Sequence, residues 1–186
     1  MFTLKVDDEI ELVLPNTKKS AEKAYEIIKA NYEHLHQWMG WANEGLTFEK
    51  VEIFYQSAMR KFAENGDEIA LQINFNKEIV GGIGLHEINH QAKCAESGYW
   101  LAKDFNGKGI VTRSLAGLLD YAFGTLELNR IVVKCAPENY KSRAIPEKLG
   151  FTQEGIEREA EWLHTRFVDH VVYSMLAREW RKLSEK

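Results

Sequence analysis

The stretch that most limits what this chain can become runs from Cys94 to Phe123, and it reads as strand, short loop, helix. Ser97-Gly98-Tyr99-Trp100-Leu101 has the aromatic content of a strand. Asp104 to Gly109 follows as a loop. From there Ile110, Val111, Leu115, Leu118, Leu119, Ala122 and Phe123 recur at helical spacing. The first N–H groups of a helix lack partners inside it, and the helix dipole adds roughly half a positive charge at that end. Gly107 and Gly109 permit positive φ and close backbone approach. Together these features make a cradle for a phosphate or diphosphate. A bare G-x-G serves equally as a tight turn with no ligand. Two familiar phosphate loops are excluded by spacing. Lys108 is followed by Gly109 rather than Ser or Thr, and Thr112 stands where a dinucleotide fingerprint has its third glycine.

The flanking chain predicts an α+β layout. Alternation over Glu9–Leu14 gives a first strand ended by Pro15. Asn16 or Thr17 is placed to cap a helix running to about Asn31 or beyond, with Ala24, Ile27, Ile28 and Leu35 inward. Thr47 caps a second helix that buries Phe48, Val51, Phe54, Tyr55, Ala58 and Phe62 and stops at Asn65-Gly66. Ile69–Phe75 and Ile79–His86 form a hairpin about Asn76-Lys77, with Gly81, Gly82 and Gly84 marking a bulge or close packing. After the central helix come a strand at Arg130–Ala136, a short helix ending at Leu149-Gly150, and two strands, Ile156–Trp162 and Val168–Leu176. The sum is about seven strands, largely antiparallel, with three or four helices. One parallel pair is implied, because a helix crosses between the Tyr99 and Val132 strands. No linker or repeat divides residues 1–186, so one domain is expected.

Composition narrows the function. The net charge of −4 shows no basic block, which argues against a nucleic-acid surface. Cys94 and Cys135 are the only cysteines and lack metal-ligand spacing, so a reducing compartment and no metal are expected. No apolar run is long enough to span a bilayer, and the expected location is the cytoplasm. The exposed edge of the final hairpin is compatible with a homodimer.

Asp104-Phe105-Asn106-Gly107-Lys108-Gly109 resembles the acetyl-coenzyme A loop of the GNAT N-acetyltransferase superfamily, [Q/R]-x-x-G-x-[G/A], with Asp104 departing at the first position. Ala95-Glu96-Ser97-Gly98-Tyr99-Trp100-Leu101 is similar to the A-E-x-G-Y-W-L run of its RimL-type branch. Glu138-Asn139-Tyr140-Lys141-Ser142, followed by Lys148-Leu149-Gly150-Phe151, is similar to that branch's E-N-x-x-S and K-L-G-F runs. The resemblance covers the whole order of elements. It implies a GNAT fold with a splayed parallel strand pair, acetyl-CoA as cofactor, and an amine acceptor. RimL-type enzymes acetylate the α-amino group of proteins, notably ribosomal ones, while relatives act on polyamines, antibiotics or amino acids. A catalytically silent acyl-CoA-binding module on the same fold is the reading from another class.

The resemblance also assigns roles. Leu101 and Ala102 would meet the pantetheine arm and supply a main-chain oxyanion donor. Gly107, Lys108, Gly109, Ile110, Val111 and Thr112 would hold the diphosphate, and Asn139 and Ser142 would contact the cofactor. Arg113, in the first turn of the helix, would meet a phosphate or simply lie on a solvated face. Many GNAT enzymes use a tyrosine four residues before the Gly-Phe pair as acid; that position is Pro146, leaving Ser142 as the candidate, unless Ser142 merely caps its helix. Pro146 leaves the Ser142 carbonyl free or bends the helix. Glu96 shares a strand face with Gly98 and Trp100 and is the candidate base, with a structural carboxylate as the plainer alternative. His34, His36 and His86 are its rivals. Cys135 reads as a small core residue rather than a nucleophile. His34, Trp38, Trp41 and Trp100 are the candidate acceptor-side residues, an aromatic rim suited to a peptide terminus or a cation.

Overall fold

A computed structural model of the chain describes residues 2–15, 18–64 and 66–184. The elements are β1 (Thr3–Lys5), β2 (Ile10–Val13), α1 (Lys18–Ala30), α2 (Tyr32–His36), α3 (Phe48–Glu64), β3 (Ile69–Phe75), β4 (Glu78–Asn89), β5 (Cys94–Leu101), α4 (Ile110–Gly124), β6 (Arg130–Cys135), α5 (Tyr140–Lys148), β7 (Thr152–Leu163), β8 (Arg166–Leu176) and α6 (Ala177–Ser184). One sheet runs in the order β1-β2-β3-β4-β5-β6-β8-β7. Every neighbouring pair is antiparallel except β5 and β6.

The described residues thus form eight strands where sequence alternation shows about seven, and six α-helices where it shows three or four. The added strand, β1, has three residues, too few for a readable period. The first helix does not run through to Leu35. It stops at Ala30, and Asn31 returns its amide side chain to the Ile27 carbonyl at 2.8 Å before α2 begins. Leu35 is nonetheless buried. The proposed caps Asn16 and Thr17, and the stop at Asn65, lie outside the described residues. Gly66 beside it has φ of 66°. Thr47 does start α3, its hydroxyl accepting from the Lys50 N–H at 3.4 Å. Phe54, expected inside, is 51% exposed, because that face of α3 borders an open cleft.

α4 lies under the sheet with Ile110, Leu115, Leu118, Leu119 and Ala122 buried against Ile73, Ile131 and Met175 in the main core. A smaller cluster ties α1, α2 and α3 together through Ala24, Ile28, Leu35 and Val51, with Trp100 packed on it. The glycines of β4 mark close packing. A Cβ on Gly81 would lie 2.3 Å from the Trp100 carbonyl oxygen, and one on Gly82 would lie 2.5 Å from the Trp100 indole nitrogen. The register of β3 with β4 also slips between Ile73 and Asn74, the bulge those glycines announced.

What positions the site is the failure of β5 and β6 to stay together. They pair only over Cys94–Glu96 and Arg130–Val132. β5 continues to Leu101 against β4, and β6 continues to Cys135 against β8. The two therefore diverge, and the β6-facing edge of residues 97–101 is left without a ladder partner among the described residues. No helix of the described residues is long and apolar enough to cross a membrane.

Candidate active site

The divergence opens into a cleft of about 860 Å³ whose lining runs from Trp38 and Trp41 through Glu96 and Trp100 to Cys135, Asn139 and Ser142. The glycine loop follows the end of β5, outside the lining of that cleft. Gly107 has φ of 79° and Gly109 of 71°, and a Cβ at either would meet nothing within 4 Å. Their conformation needs glycine, and the space around them is open. Gly109 is the N-cap of α4 and has no side chain to satisfy the helix's first N–H groups. Side chains of Ile110 and Val111 are buried, so only their main chain can face a ligand. Positive φ, open space and an uncapped 15-residue helix together fit a diphosphate. Lys108 stays nearby, its ammonium 4.8 Å from the Phe105 ring centre. Arg113 does not join them. It bonds both Asp7 and Glu9 at 2.8 Å and pins the β1–β2 turn to α4.

On the divergent edge, the Leu101 and Ala102 side chains are buried. The Ala102 N–H is given to the Val80 carbonyl at 2.8 Å, so of these two residues only Leu101 keeps an amide in question as an oxyanion donor.

Opposite them, α5 begins at Asn139, whose side chain accepts from the Ser142 N–H at 3.2 Å. Asn139, not Ser142, is therefore the helix cap. The Ser142 hydroxyl is left for other partners: Cys135 Sγ at 3.2 Å and the Tyr99 hydroxyl at 3.4 Å. Tyr99 in turn donates to the Ser142 carbonyl at 3.0 Å. That carbonyl is available because Pro146 has no N–H to offer it. Burial pushes the Tyr99 hydroxyl well above its ordinary range, so it stays protonated. Burial also pushes the Cys135 thiol up, against hydrogen bonds from Ser142 and Tyr99 that pull the other way. An inert thiol agrees with a packing role for Cys135. α5 itself is held by Arg143, which donates to Tyr173 at 2.9 Å and to the Pro137 carbonyl at 3.0 Å.

Glu96 lies in the cleft on the face shared with Gly98 and Trp100, as alternation requires. Its carboxylate is 2.6 Å from the Lys134 ammonium, which also reaches Glu157 at 3.3 Å. Burial pulls Lys134 down, but its hydrogen bond and charge pairing with Glu96 outweigh this and leave it raised. His86 faces Glu96 in the β4–β5 register and lines the same cleft. A further pair that sequence reasoning missed, Glu161 and His170 at 3.2 Å, lines the cleft from the last hairpin.

The aromatic rim divides. Trp38, Trp41 and Trp100 line the cleft, with Trp41 edge-on to Trp100 at 6.2 Å. His34 does not join them. It is hydrogen-bonded to the Leu101 main chain and lies 3.4 Å from the Asn106 amide, on the side of the glycine loop. Burial lowers its pKa, and Lys141 and Lys103 add to that, outweighing the Leu101 bond. Tyr99 was missed as well. Its odd position on β5 places it opposite Glu96, a signal the sequence did contain.

A family model described as the acetyltransferase (GNAT) domain matches residues 11–152. YdaF of Bacillus subtilis (strain 168), whose name assigns it provisionally to ribosomal N-acetyltransfer, is 38% identical over 97% of this chain and 98% of its own length. The microcin C7 self-immunity acetyltransferase MccE, solved with acetyl-CoA and AMP, is 34% identical, with a TM-score of 0.86 over 92% of this chain and 94% of that one. RimL, the ribosomal L7/L12 α-N-protein acetyltransferase, solved with coenzyme A, is 26% identical, with a TM-score of 0.87 over 94% of this chain and 98% of that one. The chain belongs to the GNAT acetyltransferase family. Its relatives and structural neighbours include RimL- and RimJ-type acetyltransferases, it is an N-acetyltransferase, and acetyl-CoA is its cofactor.

Proposed function

We propose that the acceptor is the N-terminal α-amine of a protein, a ribosomal protein being the case the relatives favour. The observation carrying this reading is the open cleft between the diverging strands. Its lining includes both Ser142 and the three tryptophans Trp38, Trp41 and Trp100. A cleft of about 860 Å³ lined by three indoles has room for a chain terminus with a continuing peptide. RimL is by name an acetyltransferase of ribosomal L7/L12, and the name of YdaF assigns it provisionally to ribosomal N-acetyltransfer.

Bound acetyl-CoA supplies an acetyl thioester. Main-chain N–H groups of residues 107–112 and the Asn139 side chain would hold it in place. The amine must attack as a neutral group, and Glu96, one of the carboxylates lining the cleft, takes its proton. Lys134 holds Glu96 by charge and so fixes its direction. As the C–S bond breaks, Ser142 relays a proton to the departing sulfur and takes one back from water, so its hydroxyl is restored. Its hydroxyl hydrogen points toward Tyr99 while the Tyr99 hydrogen is given to the Ser142 carbonyl, so turning one O–H bond presents the proton. No covalent enzyme intermediate is required, and the raised thiol of Cys135 does not offer one.

A second reading keeps the chemistry and takes a small amine bearing a flat ring. It is favoured by the three tryptophans and by MccE, solved with AMP. Thiol release from acetyl-CoA over an amine panel separates them. Release with Ser- or Ala-starting peptides but not with spermidine or aminoacyl nucleotides supports the first. The reverse supports the second, and saturable acetyl-CoA binding with no release from any amine would point to a silent binding module.

A further inference from the structure

Between α2 and α3 the chain carries Trp38 and Trp41 into the cleft, and both ends of that excursion meet at one point. His36 Nδ1 lies 2.7 Å from the Ala42 carbonyl oxygen, so the ring ties residue 36 to residue 42 across both indoles. A carbonyl only accepts, which puts the hydrogen on Nδ1. His164 Nε2 lies 2.8 Å from the main-chain oxygen of His36, and by the same logic Nε2 carries its hydrogen. The two imidazoles stack with centres 3.7 Å apart and planes 23° apart, and Tyr32 stacks on His36 at 4.9 Å.

His164 sits in the β7–β8 turn with φ of 56°. The same hairpin touches the loop again at Gly40, where a Cβ would lie 3.1 Å from Glu161 Oε1. Neither His36 nor His164 is among the residues lining the cleft. A five-residue helix is too short to hold the following loop by itself, so the loop's place must come from such tertiary ties. On its other side α2 is tied to the glycine loop, through Asn31 Oδ1, which accepts from the Lys103 N–H at 2.8 Å, and through His34. The two sets of ties are separate.

We propose that His36 and His164 are positioning residues for the acceptor: their stacked, carbonyl-anchored pair clasps the Trp38–Trp41 loop to the last hairpin and sets the aromatic wall against Trp100. The inference rests on reading that end of the cleft as the acceptor side. Loss of the clasp loosens the wall and leaves the cofactor loop in place, since the Asn31 and His34 ties remain.

The test compares wild type with His36→Phe, which keeps a ring but loses the N–H, with His164→Ala, and with His164→Gln, which restores a donor toward the His36 carbonyl. Acrylamide quenching of tryptophan fluorescence, acetyl-CoA Kd and the KM for a Ser-starting hexapeptide are read on each. Misplaced walls weaken an acceptor by roughly tenfold or more. The expected result is that rise in peptide KM with easier quenching in the first two variants, partial recovery in His164→Gln, and acetyl-CoA Kd within about twofold of wild type. Wild-type quenching in both His36→Phe and His164→Ala overturns the clasp, as does an equal loss of peptide and acetyl-CoA affinity. If wild type does not turn over the peptide, the protein-terminus reading fails, while the quenching comparison still decides the clasp.

Discussion

The Tyr99 hydroxyl donates to the main-chain carbonyl of Ser142 at 3.0 Å, across 43 residues of sequence. It can do so because a helix residue four positions on, Pro146, has no N–H to claim that carbonyl. One missing donor in α5 thus becomes the anchor of a tyrosine on β5, and it brings two hydroxyls together beside Cys135.

This arrangement predicts a coupling. Tyr99→Phe strips the Ser142 carbonyl of its partner and should cost about 1–3 kcal/mol of stability. Pro146→Ala restores an N–H, so in the Tyr99→Phe background it should recover part of that loss. A double-mutant cycle by urea denaturation measures it, and strict additivity would mean that the carbonyl is not shared.

Ser142→Ala should lower kcat by roughly 10²–10⁴-fold if the hydroxyl delivers the proton to sulfur. Acetyl-CoA binding, followed by calorimetry, should change far less. Turnover near wild type would remove Ser142 from the role.

Glu96→Gln should lower kcat by a similar factor, about 10²–10⁴-fold, because the amide can neither take a proton nor pair with Lys134. A pH–rate profile of the variant discriminates. If activity survives with its acidic limb intact, the proton goes instead to His86 or to the Glu161–His170 pair.

Acid stability should depend on a different carboxylate. Two hydrogen bonds from Arg130, at 2.6 and 2.5 Å, and one from Ser174 hold Glu154 down at about 2 against the opposing effect of burial. A lowered carboxylate contributes stability above its unfolded value of 4.5 and loses it as pH falls toward 2. The stability gap between wild type and Glu154→Gln should therefore close across that window. A gap that stays constant from pH 6 to 2 would contradict this.

Much of the frame was legible because period and punctuation agree along β5, the glycine loop and α4, where Gly107 and Gly109 do adopt positive φ. The splay of the parallel pair was implied by the family resemblance, and Glu96, Trp100, Asn139 and Ser142 all line the cleft beside it. Other features are set by contacts no local pattern records. The Glu96–Lys134 pair depends on the register of two strands joined only through α4. His34 turns toward Asn106 because the start of α2 docks on the glycine loop. The His36–His164 stack joins residues 128 positions apart. α6 was missed because it follows β8 directly and carries few apolar residues, although Trp180 reaches back to Asp120 at 2.7 Å.

The central claim is that the amides around Gly107–Ile110 hold the coenzyme's diphosphate so that its sulfur lies beside Ser142. A crystal structure of the protein with coenzyme A tests it most directly. The account predicts the diphosphate oxygens within about 3 Å of those N–H groups, the pantetheine between β5 and β6, and the sulfur within hydrogen-bond reach of Ser142 Oγ. A diphosphate seated elsewhere, or a sulfur out of reach of Ser142 with those amides bonded to their own chain, would contradict it.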